Sequence, residues 1–220
     1  MSDRPIPTQL VEYAKPPFRI VAPRTPGELS KLLGKAVAYI NWFIPVNRGR
    51  LKSSTLRLVI ARSSGYDHID VDTAEDLGIC VANQPEIIAE AVAQYTVAGI
   101  LAVSRQLVAA HKVTWEWDIE GWPDHLVGRL ITGRSLGLLG AGRIGQAVAV
   151  KLRALGVGDI YYYSRSRKPC LEAGLGARKV GLEELFTRSE ILVNSLPLTP
   201  ETRGLVSAGL LSLLPPEPSM

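Results

Sequence analysis

Three observations predict an α/β protein built on parallel sheets. The run at residues 57–61, Arg-Leu-Val-Ile-Ala, is apolar almost throughout, which suggests a strand buried on both faces. Such runs alternate with helical segments, and a β-α-β rhythm of this kind favours parallel pairing. The third is a glycine-rich turn, Gly140-Ala141-Gly142-Arg143-Ile144-Gly145, set between the apolar run Leu136–Leu139 and an alanine-rich helix.

The elements follow in order. Residues 1–17 are polar, hold four prolines, and read as loosely ordered. Residues 18–21 suggest a short strand, ended by Pro23. Thr25-Pro26-Gly27-Glu28 opens a helix, with Thr25 as N-cap, Pro26 in the first helical position and Glu28 where a capping box needs it. Gly34 would end that helix. A buried strand is expected at 36–40, broken off by Pro45, and the strand at 57–61 leads into a loop at 62–67. A short helix at 71–77, stopped by Gly78, precedes a strand at 79–82. Residues 83–85 read as a domain crossing.

Beyond it, a long helical pattern runs from Ile87 to about Ala110. Its most apolar part, 91–103, is interrupted by Gln94 and Thr96 and is too short to span a bilayer, so a core helix between layers is expected. Trp115, Trp117 and Trp122 follow, near Gly121 and Pro123, and suit an interface or a core cap. The rhythm then resumes: strand 136–139, helix 143–155, strand 160–163, a weak strand at 177–180, helix 182–186, strand 191–194 and a helical pattern at 205–214. Domains are therefore expected at 1–84 and 85–214, with a tail at 215–220.

Composition narrows the function classes. The chain is 46% hydrophobic and 21% charged, as soluble globular proteins are. A net charge of +4, scattered and without interleaved aromatics, argues against nucleic acid. Cys80 and Cys170 stand alone, with neither a disulfide framework nor metal-ligand spacing, and fit a reducing cytoplasm. The start, MSDRPIPTQL, has no apolar stretch of the signal-peptide kind.

The glycine-rich turn stands in the context its motif requires. Gly140 would make the tight turn, Gly142 would let backbone approach a pyrophosphate, and Gly145 would let helix and strand pack closely. The first N–H groups of the helix, including those of Arg143 and Ile144, would then face the phosphates. The alternative is a set of glycines serving only a tight β-α turn. After the next strand comes Ser164-Arg165-Ser166-Arg167-Lys168. An NAD site usually carries an acidic residue here for the ribose 2′-hydroxyl. Serine, arginine and lysine would instead receive a 2′-phosphate, which points to NADP in preference to NAD, an ordinary basic surface turn being the alternative. Ser195-Leu196-Pro197 follows a buried strand and would lie at the carboxyl edge of the sheet, where such folds bind ligands, unless it is a plain Pro-containing loop.

The stretches ARSSGYDHID, ANQPEIIAEAVAQ, GLLGAGRIGQAVA and ILVNSLPLTPETRGLV together resemble the D-isomer-specific 2-hydroxyacid dehydrogenases, over about residues 56–214. The resemblance implies NAD(P)-dependent reduction of a 2-keto acid to a D-2-hydroxy acid. It also implies an incomplete flavodoxin-like substrate domain, followed by an NAD(P)-binding Rossmann domain through which family members dimerise. It places Ser64 and Gly65 in the loop whose amides hold the substrate carboxylate. Asp67, His68 and Asp70 become structural members of that loop. Leu196-Pro197 falls beside the nicotinamide, and Thr202 and Gly204 lead into the next helix. Gln94 stands where many relatives carry an acid.

The family's catalytic arginine, acid and histidine are expected beyond the C-terminus, so the chain reads as truncated and inactive alone. His68, His111 and His125 lie in the wrong segments to replace them. The alternatives are a nucleotide-sensing or protein-interaction module, or a subunit completed by a second chain.

Overall fold

The computed structural model describes residues 17, 19–23, 25–116 and 126–216. The loosely ordered start expected for residues 1–17, Trp117, Trp122, His125 and the tail from 217 thus fall outside the described residues, Pro17 excepted. Residues Met1–Pro85 and Glu86–Met220 form two compact units.

The first unit runs α1 (Pro26–Leu33), β1 (Ala38–Asn41), α2 (Arg48–Lys52), β2 (Leu58–Ala61), α3 (Val71–Asp76) and β3 (Cys80–Ala82). Its sheet is parallel, in the order β1-β2-β3, with Leu58 opposite Ala38 on one side and Cys80 on the other. Val59 and Ala61 of the central strand are fully buried, and Leu29, Leu33, Val46, Leu51 and Ile79 close over them. Thr25 caps α1 by accepting the Glu28 N–H at 3.2 Å. The strand expected at 18–21 does not form at its described residues 19–21. Residues 19–23 have no regular structure, and β1 pairs only with β2 among the described residues. Helix α2 escapes a periodicity reading because it has five residues and buries only Leu51. The Asn47 side chain starts it by accepting the Arg50 N–H.

The second unit runs α4 (Pro85–Ser104), α5 (Leu107–Glu116), β4 (Leu136–Leu139), α6 (Arg143–Ala154), β5 (Ile160–Tyr163), α7 (Pro169–Leu175), β6 (Arg178–Lys179), α8 (Leu182–Arg188), β7 (Ile191–Asn194) and α9 (Ala208–Leu211). All pairings are parallel, in the order β6-β5-β4-β7. The chain winds outward from β4 to β6 and then returns to β4's other side, so the order reverses between β4 and β7. Every residue of β4 is buried, the burial expected of a central parallel strand. One core layer joins β4 and β5 to Ala93, Val148, Leu152 and Leu171, and the other joins Leu139 and Tyr161 to Leu185 and Phe186.

Three expectations change here. The long helical pattern is two helices, because Gln106 adopts a left-handed φ of 53° that an α-helix cannot carry. The terminal pattern at 205–214 contracts to α9, started by the Ser207 hydroxyl accepting the Leu210 N–H. Helix α4 is 20 residues long, starting on Pro85, and is the one helix among the described residues long and apolar enough to cross a membrane by length and composition. Gln94 and Thr96 do not shorten it. Gln94 lies outside and bonds Glu90, and Thr96 returns its hydroxyl to the Val92 carbonyl. Nor is it an interior helix. Ala89 and Ala93 are buried, whereas Ile87, Tyr95 and Val103 are 79%, 83% and 78% exposed.

Candidate functional site

The carboxyl ends of β4 and β7 meet where the strand order reverses. Gly140 turns the chain out of β4 at φ +95°, a conformation in which a β-carbon is strained. Its N–H donates to the Tyr163 carbonyl at 3.0 Å. From the other side, the Ser195 N–H donates to the Leu139 carbonyl at 2.8 Å, and the Ser195 hydroxyl donates to the Gly140 carbonyl at 2.7 Å. A β-carbon on Gly140 would stand 3.0 Å from the Leu196 nitrogen, and one on Gly145 would stand 2.3 Å from the Gly140 carbonyl oxygen. Gly140, Gly145, Ser195 and Leu196 are thus locked into one unit of backbone.

Gly142 has a different surrounding. It is exposed, is the N-cap of α6 and provides no side-chain cap, and a β-carbon there would meet nothing within 4 Å. The start of a three-turn helix therefore opens onto free space, with its N–H groups and positive dipole end uncapped by a side chain. Arg143 is turned to Glu86 in a loose pair at 3.9 Å, both side chains largely exposed. Ile144 packs its side chain on the core, so only its backbone faces the turn. Pro197 is exposed, and Thr202 closes the loop behind it by donating to the Pro197 carbonyl and accepting the Thr199 N–H at 2.8 Å.

The basic turn begins at the end of β5, next to β4. The Ser164 hydroxyl donates to the Ser166 carbonyl, and the Lys168 ammonium reaches the Ser166 hydroxyl at 3.1 Å. Arg165 is exposed. Arg167 pairs with Glu172 at 2.6 Å. Behind them, the buried Tyr162 hydroxyl donates to Glu172 at 2.5 Å and accepts the Lys168 N–H at 2.8 Å. The Arg167 guanidinium and then the Tyr162 hydroxyl hold the Glu172 carboxyl below the usual carboxylate range. Burial, reinforced by the Glu172 hydrogen bond, pushes the Tyr162 phenol up. An open cleft of about 500 Å³ beside this turn is lined by Arg167, Glu172, Ala177, Arg178 and Lys179.

Sequence reasoning missed Tyr162 and Glu172. The signal was α7 itself, which starts on Pro169 and ends at a left-handed Gly176 with φ +65°. Reading that pair as start and stop would have put Glu172 in the first turn, beside the strand end.

Ser64 and Gly65 belong to the first unit, just past β2. Asn83 donates to the Ser64 carbonyl at 2.8 Å and Ser63 to the Gly65 carbonyl at 2.6 Å. Among the described residues, the N–H groups of Ser64 and Gly65 meet no acceptor. Asp70 caps α3 by accepting both the Thr73 N–H and hydroxyl, which hold its carboxyl below the usual range. The His68 ring lies 5.9 Å from Phe43. Its Nε2 is buried without a partner among the described residues.

The family model described as "D-isomer specific 2-hydroxyacid dehydrogenase, NAD binding domain" matches residues 97–219. A glyoxylate reductase of Aeropyrum pernix is 45% identical over 164 residues, covering 72% of this chain and 49% of that protein. The chain thus spans about half the length of that curated relative. A D-lactate dehydrogenase of Aquifex aeolicus, complexed with NAD and lactic acid, superposes with a TM-score of 0.78 at 27% identity, covering 84% of this chain and 55% of that one. An acyclic imino acid reductase in complex with NADPH and D-Arg gives a TM-score of 0.77 at 25% identity, covering 86% and 60%. With more than half its length matched by the family model, the chain belongs to the D-isomer-specific 2-hydroxyacid dehydrogenases.

Proposed function

We propose that the second unit binds NADP(H) in preference to NAD(H), as the coenzyme half of an enzyme that reduces a 2-keto acid to a D-2-hydroxy acid. One observation carries the reading most: the open, uncapped start of α6 at Gly142, held beside β7 by the Gly140–Ser195 contacts. A pyrophosphate there would accept N–H groups from Gly142, Arg143 and Ile144, on the favourable end of the helix dipole. Ser195, Leu196 and Pro197, with Thr202 shaping their loop, would flank the nicotinamide. Ser164 and the basic side chains that follow would receive the 2′-phosphate, since no carboxylate replaces Ser164 to repel it. The solved relatives hold NADPH in one case and NAD in the other, so the preference rests on this turn.

Once bound, the coenzyme would supply the hydride. In the first unit, a partial flavodoxin-like domain, the unengaged N–H groups of Ser64 and Gly65 would bind the substrate carboxylate. The glyoxylate reductase relative supports a small 2-keto acid. No arginine–carboxylate–histidine set able to polarise and protonate the keto group is formed within either unit among the described residues. We infer that these 220 residues alone bind the nucleotide without turnover. The exposed apolar face of α4 supports a homodimer, and two exposed free thiols, Cys80 and Cys170, fit a cytoplasmic protein.

The test is a fluorescence titration of the purified chain with NADPH and with NADH, followed by addition of glyoxylate and hydroxypyruvate. Tighter NADPH binding without its oxidation supports the reading. Equal affinity removes the NADP preference, and substrate-dependent oxidation shows that this chain supplies its own acid.

A further inference from the structure

The basic turn after β5 holds more cations than one phosphate needs, and the structure treats them unequally. Arg167 is folded onto Glu172, with Nε 3.2 Å from Oε1 and Nη2 2.6 Å from Oε2. Glu172 is not a loose surface partner. Its side chain is 20% exposed, and the fully buried Tyr162 anchors it from inside. The same phenol accepts the Lys168 N–H, so the carboxylate, the phenol and the turn's backbone form one connected network.

Arg165 stands apart from that network. Its side chain is exposed and forms no ion pair or hydrogen bond among the described residues, while its carbonyl accepts Lys179 Nζ at 3.4 Å. Glu201 lies within its electrostatic reach, but that carboxylate is engaged first by Thr199 and by its own backbone. Lys168 donates to a neutral hydroxyl, so its charge is uncompensated there. An unpaired carboxylate beside a 2′-phosphate would repel it. Arg167 cancels the charge of Glu172 and is itself consumed in doing so.

We propose that Glu172 sets coenzyme selectivity as a positioning residue: it holds Arg167 off the coenzyme and leaves the 2′-phosphate to Arg165, with the Lys168 charge alongside. The inference rests on the NADP(H) reading above and refines which cation does the work. Releasing Arg167 would add a second guanidinium and remove an anion in one step.

The experiment measures the affinity of the full chain for NADPH and NADH by fluorescence titration, with melting temperature as a check on folding. NADH lacks the 2′-phosphate, so damage to the fold weakens both nucleotides, whereas a change at this subsite alters their ratio. The variants are R165A, E172Q and the double variant R167A/E172Q, the glutamine keeping an oxygen for Tyr162. R165A is expected to lower the NADPH-to-NADH preference about tenfold or more. E172Q is expected to raise it at least threefold, and R167A/E172Q to return it to within twofold of the parent. If E172Q leaves the preference unchanged or lowers it while R165A still abolishes it, Glu172 does not withhold Arg167 and the inference fails alone. It also fails alone if R167A/E172Q loses the preference as R165A does, because Arg167 is then itself the phosphate ligand. A parent chain that binds both nucleotides equally, unaffected by R165A, overturns the NADP(H) reading and this inference together.

Discussion

Gly140, Gly142 and Gly145 belong to one motif yet answer to different physical demands. A β-carbon at Gly145 would collide with the Gly140 carbonyl and one at Gly140 would crowd Ser195, so the fold itself requires both glycines. Gly142 faces open space, and only a ligand would need its bareness. Gly142→Ala is therefore expected to cost less than about 1 kcal/mol in urea unfolding, an N-cap effect, while weakening NADPH binding about tenfold by titration. Equal binding by the alanine variant would remove Gly142 from the coenzyme site.

Carboxylates set a second residue-scale expectation. The Glu172, Asp70, Glu90 and Glu201 carboxyls are all held below their usual range, by Arg167, the Thr73 backbone, Lys151 and the Thr199 hydroxyl respectively. A lowered folded-state value means stability that is present above the ordinary carboxylate range and lost as pH falls through the folded value. Melting temperature should thus fall as pH drops from about 5 towards 3, and E172Q should flatten part of that slope. A parallel decline in parent and variant would show that Glu172 contributes nothing to it.

At the scale of elements, the strands of the second sheet were the most legible. Runs 136–139, 160–163 and 191–194 are apolar and end at sharp polarity changes, and they coincide with β4, β5 and β7. The glycine-rich turn and the loop at 195–197 could therefore be placed at strand ends from the sequence. The short helices α2 and α7 were not read, because each buries a single residue, Leu51 or Leu171, and so shows no apolar repeat, whereas α3 and α8 of similar length bury two apiece. With α7 unread, the Tyr162–Glu172–Arg167 network was invisible, since it joins a strand to a helix ten residues on. The break between α4 and α5 was hidden for another reason: Gln106 is a good helix former that sits in a left-handed conformation. Gln106→Gly is accordingly expected to stabilise the chain by about 0.5–1 kcal/mol in denaturant unfolding. Destabilisation instead would mean that the glutamine side chain contributes more than its backbone costs.

For the whole molecule, two parallel sheets divide the labour proposed here. In that proposal the second unit would hold all three parts of the coenzyme site, and the first would offer the amides of the substrate loop. Helix α4 is where sequence and structure differ most usefully: an apolar stretch judged too short to span a bilayer suggested an interior helix, but the second unit covers only one side of it. Ile87, Tyr95 and Val103 remain open, an arrangement that suits a second protomer. Sedimentation of the parent chain is expected to show a dimer, and Tyr95→Glu to shift it towards monomer without loss of helical circular dichroism. A parent that sediments as a monomer at tens of micromolar, a concentration where a stable interface would hold, contradicts that assignment.

The most direct test of the central claim is a crystal structure of the chain grown with NADPH. The pyrophosphate is expected over Gly142 at the start of α6, with the nicotinamide end beside Ser195–Pro197 and the 2′-phosphate against Arg165. Nucleotide density elsewhere, or none there at saturating NADPH, would show that the glycine-rich turn serves the fold and not the coenzyme.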